Sequence, residues 1–262
     1  MTVVGRRPPP PFRRLTVRRV EQLSARLTRV TLAGPELEGF TVEQPAASVR
    51  LLLPSPGQAE LVIPQWNGNE FLLPDGRRPH IRTLTPRRVD MAARQLDVDI
   101  VLHDAGTASD WARAAEPGDP VAISGPGRGY VIQEAPLFLV AGDETAIPAI
   151  SQLLETAPPG MAIQVHIEVA HADARLALPG HPGSTVAWHD LPAGAPAGDA
   201  LVTSVREADI DPQARVWVAG EAASVQRIRR HLFEERGFPR NQATVRGYWK
   251  HGRGGDSASA DS

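Results

Sequence analysis

The sequence predicts two domains: an N-terminal antiparallel β-barrel over residues 12–135, then an α/β parallel-sheet domain over residues 136–252. Three observations predict this. Before Pro136, apolar residues tend to alternate with polar ones, the period of a sheet with one wet face. After it, strands become continuous apolar runs that stop at glycine, as parallel strands covered on both faces do. The ends, residues 1–11 and 253–262, are rich in Arg and Pro or in Gly, Ser and Asp, with little to bury, and are expected to be disordered tails.

In the first domain the clearest strand is Leu96-Asp97-Val98-Asp99-Ile100-Val101-Leu102-His103, where Leu96, Val98, Ile100 and Leu102 share a face. Gly34-Pro35, Pro54-Ser55-Pro56-Gly57 and Pro74-Asp75-Gly76 mark turns between short strands, and a barrel is the natural closure. In the second domain Leu137 to Gly142 and Val216 to Gly220 read as buried parallel strands, while Ile163 to Val169 alternates more and is expected nearer an edge. Thr145 can cap a helix carrying Pro148 in its first turn, where a missing N–H costs little. A second helix, about Ala222 to Arg236, sets Val225, Ile228 and Leu232 on one stripe against Arg227, Arg230 and Glu234. Gly237 and Pro239 then end it.

Composition removes several function classes. A formal net charge of -2 provides no global basic field for phosphates, which argues against general nucleic-acid binding. With no cysteine, the chain has no disulfide, thiolate nucleophile, Cys-ligated zinc or iron–sulfur cluster, so electrons would need a bound organic cofactor. The histidines fall into no pattern such as H-E-x-x-H, and no protein-bound metal is expected. The start of the chain lacks the apolar core of a secretory signal, and no apolar run approaches the ~20 residues that span a bilayer. A cytoplasmic protein without membrane insertion is the expectation. Lys250 is the only lysine; nearly all positive charge is arginine.

Four segments carry candidate chemistry. Arg82-Thr83-Leu84-Thr85-Pro86-Arg87 combines guanidinium groups, suited to phosphates, with hydroxyls suited to a flavin ring edge; alone it also reads as an exposed strand with solvated arginines. In His103-Asp104-Ala105-Gly106-Thr107-Ala108-Ser109-Asp110 a strand ends and a small-residue turn enters a short helix that Ser109 can cap. The free N–H groups there would suit a pyrophosphate, or the segment is an ordinary capped helix with a structural His103. Gly142-Asp143-Glu144-Thr145-Ala146 and Gly220-Glu221-Ala222-Ala223 sit at the carboxyl ends of parallel strands, where open α/β sheets bind ligands. No G-x-G-x-x-G accompanies them, and glycines that merely end strands would look the same.

Taken in order, these segments resemble the siderophore-interacting protein family, a branch of the ferredoxin-reductase-like flavoenzymes. The resemblance runs from about Phe12 to Gly252. It is carried by Leu96 to Ala112, Val140 to Ala149, Ala219 to Val225 and Val245-Arg246-Gly247-Tyr248-Trp249-Lys250-His251-Gly252. It implies FAD on the barrel, NADPH or NADH on the α/β domain, and electron transfer to ferric-siderophore iron, with no catalytic acid or base required. The family's flavin motif is arginine, any residue, tyrosine, then serine or threonine. Carried over, Arg82 would contact the FAD phosphates, Thr85 the ring edge, and Gly106, Thr107, Ala108 and Ser109 the pyrophosphate, with Thr83, Leu84 and His103 beside them. Gly142, Asp143, Glu144, Thr145, Ala146, Gly220 and Glu221 would line the nicotinamide nucleotide site. Leu84 replaces the motif tyrosine and loses its π-face and hydroxyl, a loss of ~1–3 kcal/mol in flavin affinity. Anionic ferric siderophores would be steered by a basic rim, for which Arg50, Arg128, Arg246 and Lys250 are candidates, each of which also reads as a solvated surface charge. Tyr248 and Trp249 either cover the flavin or close the last strand. Two other readings stay open: a general NAD(P)H:flavin or quinone reductase, and a flavin-free siderophore-binding protein, which Leu84 keeps alive. Asp173 and Arg175 leave NADH against NADPH undecided. A monomer is expected.

Overall fold

The computed structural model describes residues 9–55, 57–58, 60–103 and 106–252. They fall into two compact units, residues 9–22 with 27–129 and residues 23–26 with 130–252. Of the expected tails, residues 1–8 and 253–262 lie outside the described residues. The carbonyl of Pro10 accepts a hydrogen bond from Ser124 Oγ at 2.5 Å.

In the first unit, strands β1 (Phe12–Ser24), β2 (Leu27–Ala33), β3 (Val49–Leu53), β4 (Gln65–Trp66), β5 (Phe71–Leu72), β6 (His80–Leu84), β7 (Pro86–Asp90), β8 (Gln95–Val101) and β9 (Pro120–Ser124) follow in order, with helix α1 (Thr107–Ala114) between β8 and β9. Seven of them make one sheet in the order β6-β3-β9-β1-β2-β8-β7, and β4 pairs with β5. The ladders are antiparallel, as alternation requires. Leu96, Val98, Ile100 and Leu102 do share the buried face, together with Val30, Leu32, Val49, Leu51 and Ile123. Among the described residues no ladder joins β6 to β7, but the sheet is rolled, because β6 lies against β8 near the far end of the order.

The second unit holds β10 (Phe138–Asp143), α2 (Ile147–Thr156), β11 (Ile163–Val169), β12 (Ser184–Asp190), α3 (Asp199–Glu207), β13 (Arg215–Glu221), α4 (Ala222–Arg230) and β14 (Ala243–Trp249). All strands are parallel, in the order β12-β11-β10-β13-β14. The order reverses between β10 and β13, which defines a crevice at their carboxyl ends. Leu201, Val205, Val225 and Ile228 of α3 and α4 pack on Leu139, Ala141, Val216 and Val218. Gly142 is required here by space: a Cβ would lie 2.4 Å from Ala146 Cβ and 2.9 Å from the Ala219 carbonyl.

β11 lies nearer the edge than the central β10, with the half-exposed β12 outside it. Two expectations change. Thr145 does not cap a helix: Asp143 caps the short 3₁₀ turn Glu144–Ala146 that precedes α2, and Thr145 N–H is the donor it receives. Ser109 does not cap α1 either, since the helix begins two residues earlier behind Gly106. The last helix continues from α4 through one π turn, His231–Glu235, and ends where Phe238 N–H bonds to the Leu232 carbonyl across Gly237 at φ +64°.

Candidate functional site

Strand alternation sorts the first candidate segment onto two faces. Arg82 lies opposite Leu51 and Leu84 opposite Val49, so these two share the inner face. Thr83 lies opposite Arg50 on the other. Arg82 is half-buried and donates one N–H to the Ile81 carbonyl at 2.9 Å. Leu84 packs against the inner core, Thr83 is exposed and Thr85 is buried. Arg50 also faces Ser124 across β9, so it stands beside Thr83 and not beside Arg82.

The second segment turns from β8 into α1. Asp104 and Ala105 lie outside the described residues. Gly106, at φ +142°, occupies the N-cap position, a conformation that side chains resist, and it offers no side-chain acceptor to the N–H groups of Thr107, Ala108 and Ser109. Ser109 is fully buried. Its hydroxyl accepts from His103 N–H at 3.2 Å and donates to the Val101 carbonyl at 3.3 Å, which closes the turn from within. His103 is exposed, and its carbonyl takes an N–H from Arg113 at 2.9 Å. Arg128 lines a separate open cleft of about 310 Å³ with Arg13, Phe40, Gln44 and Pro126.

In the second unit every candidate acid is buried and engaged. Asp143 Oδ1 accepts from Thr145 N–H (2.9 Å) and Thr145 Oγ1 (2.5 Å). Its Oδ2 accepts from Glu221 N–H (2.9 Å) and Trp249 Nε1 (2.7 Å). Four donors fill the roughly four lone-pair sites of a carboxylate. Burial pushes the Asp143 carboxyl up from its ordinary range, against those four bonds, which favour the charged form. Gly220 makes the approach possible, since a Cβ there would lie 2.7 Å from Asp143 Oδ2. Glu144 accepts from Arg26 Nε (3.1 and 2.9 Å) and from Ala170 N–H (2.7 Å). Glu221 caps α4 through Ser224 N–H at 2.9 Å and takes His251 N–H at 3.3 Å. Ala146 is buried beneath Gly142.

Glu168, at the end of β11, was not anticipated from the sequence. It accepts from Gly198 N–H (2.6 Å) and Leu201 N–H (2.9 Å) at the start of α3. Burial raises its carboxyl, the two N–H bonds oppose this, and the charge of Asp143 adds to the rise. The only available signal was a single acid inside an apolar run, His166-Ile167-Glu168-Val169. Trp249 closes the last strand through its bond to Asp143, and Tyr248 meets Trp217 edge-on at 6.2 Å. Arg246 is half-buried on β14, level with Ala219, and Lys250 is exposed beyond the strand. Among the described residues no cluster of three or more metal-ligating side chains occurs, and no helix is long and apolar enough to cross a membrane.

Comparison with known proteins agrees with this division. Residues 16–130 match the siderophore-interacting FAD-binding domain, and residues 135–252 match the siderophore-interacting protein family. The NADPH-dependent ferric-chelate reductase of Escherichia coli is 31% identical over 254 residues, covering 91% of this chain and 92% of that one. A siderophore utilization protein from T. fusca superposes with a TM-score of 0.83 at 32% identity, covering 94% of this chain and 95% of that chain. The siderophore-interacting protein SipS of Aeromonas hydrophila gives 0.76 at 32% identity, covering 93% of this chain and 100% of its own.

Proposed function

The chain belongs to the siderophore-interacting protein family, and on that premise we propose that it is a reductase carrying electrons from a nicotinamide dinucleotide, through FAD, to the iron of a ferric siderophore. The names of its relatives, an NADPH-dependent ferric-chelate reductase and a ferric vibriobactin reductase, support the reading. The observation that carries it is the start of α1. In the unit that matches an FAD-binding domain, three successive N–H groups follow a glycine that cannot cap them.

The residues of that unit fit FAD. The α1 start and the Arg82 guanidinium would hold the phosphates. Leu84, on the same face as Arg82, would give the ring an apolar contact without a π-face. Thr85 would hydrogen-bond the ring edge. Ser109 would act by fixing the turn, since its hydroxyl is already shared between His103 and Val101. When bound, FAD supplies the conversion between a two-electron donor and a one-electron acceptor.

In the second unit, Asp143, Glu144 and Glu221 would shape the nucleotide crevice indirectly. Their oxygens hold the turns after β10, β11 and β13, leaving backbone and small residues such as Gly142, Ala146 and Gly220 to face the dinucleotide. Within the first unit, Arg50 and Arg128 would each offer positive charge to an anionic siderophore.

The test is the visible spectrum of the purified protein, with FAD titrated into flavin-stripped wild type and Arg82→Ala. The protein should carry or take up flavin absorbance, lose it anaerobically with a reduced nicotinamide, and regain it on adding a ferric catecholate. Arg82→Ala should weaken FAD by ~2 kcal/mol, or about thirtyfold, with the thermal midpoint unchanged. A protein that gains no flavin absorbance at saturating FAD ends this proposal.

A further inference from the structure

In the second unit, Arg26, engaged by Glu144, and Arg175 both stand near the carboxyl end of β11. β10 and β13 bound the crevice where a pyrophosphate would lie, so the adenosine ribose falls one strand over, at the carboxyl end of β11. The chain there is held firmly: Ala170 N–H bonds to Glu144 at 2.7 Å, and Val169 stands level with Asp190, the last residue of β12. A 3₁₀ turn, Ala172–Ala174, follows, and then Arg175. Between Arg128 and Arg206 the sequence has no other lysine or arginine.

That guanidinium is already answered. Arg175 Nη2 lies 2.6 Å from Asp190 Oδ2, and Asp173 is exposed two residues before it. Arg26 is cancelled by Glu144, and Arg175 against the two carboxylates Asp173 and Asp190 leaves the rim net negative. His189, beside Asp190, does not restore the balance: burial holds its imidazole below the ordinary range, although Glu207 and Asp190 pull the other way, so it stays neutral at slightly alkaline pH. A ribose 2′-hydroxyl can donate to a carboxylate on such a rim. A 2′-phosphate brings about two negative charges and meets like charge with no unneutralised partner.

We propose that the second unit selects the dinucleotide lacking the 2′-phosphate, NADH over NADPH, and that Asp190 is the specificity residue, acting by neutralising Arg175. This rests on the reading that the crevice binds a nicotinamide nucleotide. It separates the chain from its Escherichia coli relative, whose name specifies NADPH.

The test is calorimetric titration of the whole protein at pH 8 with ADP-ribose and with 2′-phospho-ADP-ribose, which needs no turnover and no flavin signal. Wild type should bind ADP-ribose about tenfold more tightly, a preference that narrows as salt rises from about 0.05 to about 0.5 M. Asp190→Asn should strengthen 2′-phospho-ADP-ribose about tenfold and move ADP-ribose less than about twofold. Adding Arg175→Met to that variant should erase the gain. Equal or tighter wild-type binding of the phosphorylated ligand overturns the selectivity, and an unchanged ratio in Asp190→Asn overturns the role of Asp190; both leave the nucleotide site standing. Failure of both ligands to bind overturns the nucleotide reading and the selectivity with it.

Discussion

In the first unit, Arg82 keeps contact with solvent and α1 starts behind a residue that has no side chain. In the second, Asp143, Glu144, Glu168 and Glu221 are buried, and each carboxylate holds backbone N–H of a turn or helix start, whether next in the chain or distant in sequence. The two regions use polar chemistry differently. One leaves its donors, the Arg82 guanidinium and the start of α1, only partly buried, where an anion could take them up. The other turns acceptors inward, and its acids fix loops whose main chain then forms the crevice. A charged residue at the carboxyl end of a parallel strand is therefore not by itself a ligand; its lone pairs must first be counted.

This contrast breaks most sharply at Asp143. Asp143→Ala leaves Glu221 N–H, Thr145 N–H and Trp249 Nε1 without their acceptor, and should cost ~3 kcal/mol of stability. Urea unfolding would show it as a lower midpoint at unchanged slope; a loss under ~1 kcal/mol would mean that the network is replaceable by water. Leu84→Tyr tests the open region from the other side. It should strengthen FAD by ~1–2 kcal/mol, read by titrating the flavin-stripped protein, while stability moves by less than ~0.5 kcal/mol. An unchanged affinity would place Leu84 away from the ring.

The smallest effect is a pH dependence. Glu168 has a raised carboxyl pKa, so its contribution to folding is fully present below the ordinary carboxylate range and declines as pH rises through the raised value. The stability difference between wild type and Glu168→Gln should shrink as pH is increased from about 4 to about 7. His166 and His189 share a hydrogen bond at 3.1 Å, and burial lowers both imidazoles, with the charge of His189 adding to the fall at His166. Their contribution runs oppositely and is lost as pH falls, so a difference for Glu168→Gln that grew with pH would contradict the assigned shift.

Much of the fold was legible because hydrophobic burial leaves local traces. The alternation of Leu96 to Leu102 and the glycine-ended runs before Gly142 and Gly220 each report a strand's surroundings directly. β12 and α3 left weaker traces. Ser184–Asp190 is a half-exposed edge strand, and α3 emerges from a Pro-, Gly- and Ala-rich stretch anchored by Glu168, thirty residues upstream, and by Ser224 of α4. The capping errors at Ser109 and Thr145 share that origin. A local rule assigns the cap to the nearest hydroxyl, but His103 N–H had claimed Ser109 and Asp143 had claimed Thr145. Gly198 shows how nonlocal such choices are. At φ +84° it begins α3, and a Cβ there would lie 2.0 Å from Ser224 Oγ at the start of α4. The candidate site was legible as a set of segments, and the division of labour within it was not, because hydrogen-bond partners distant in sequence decide which polar atoms stay exposed.

The chain's single ε-amine, on exposed Lys250, follows directly after the indole that Asp143 tethers, and the sequence has no thiol. Acylating reagents therefore meet one side-chain target in the entire polypeptide. A dye attached there would sit at the mouth of the parallel sheet, and its emission could report dinucleotide arrival without any engineered handle.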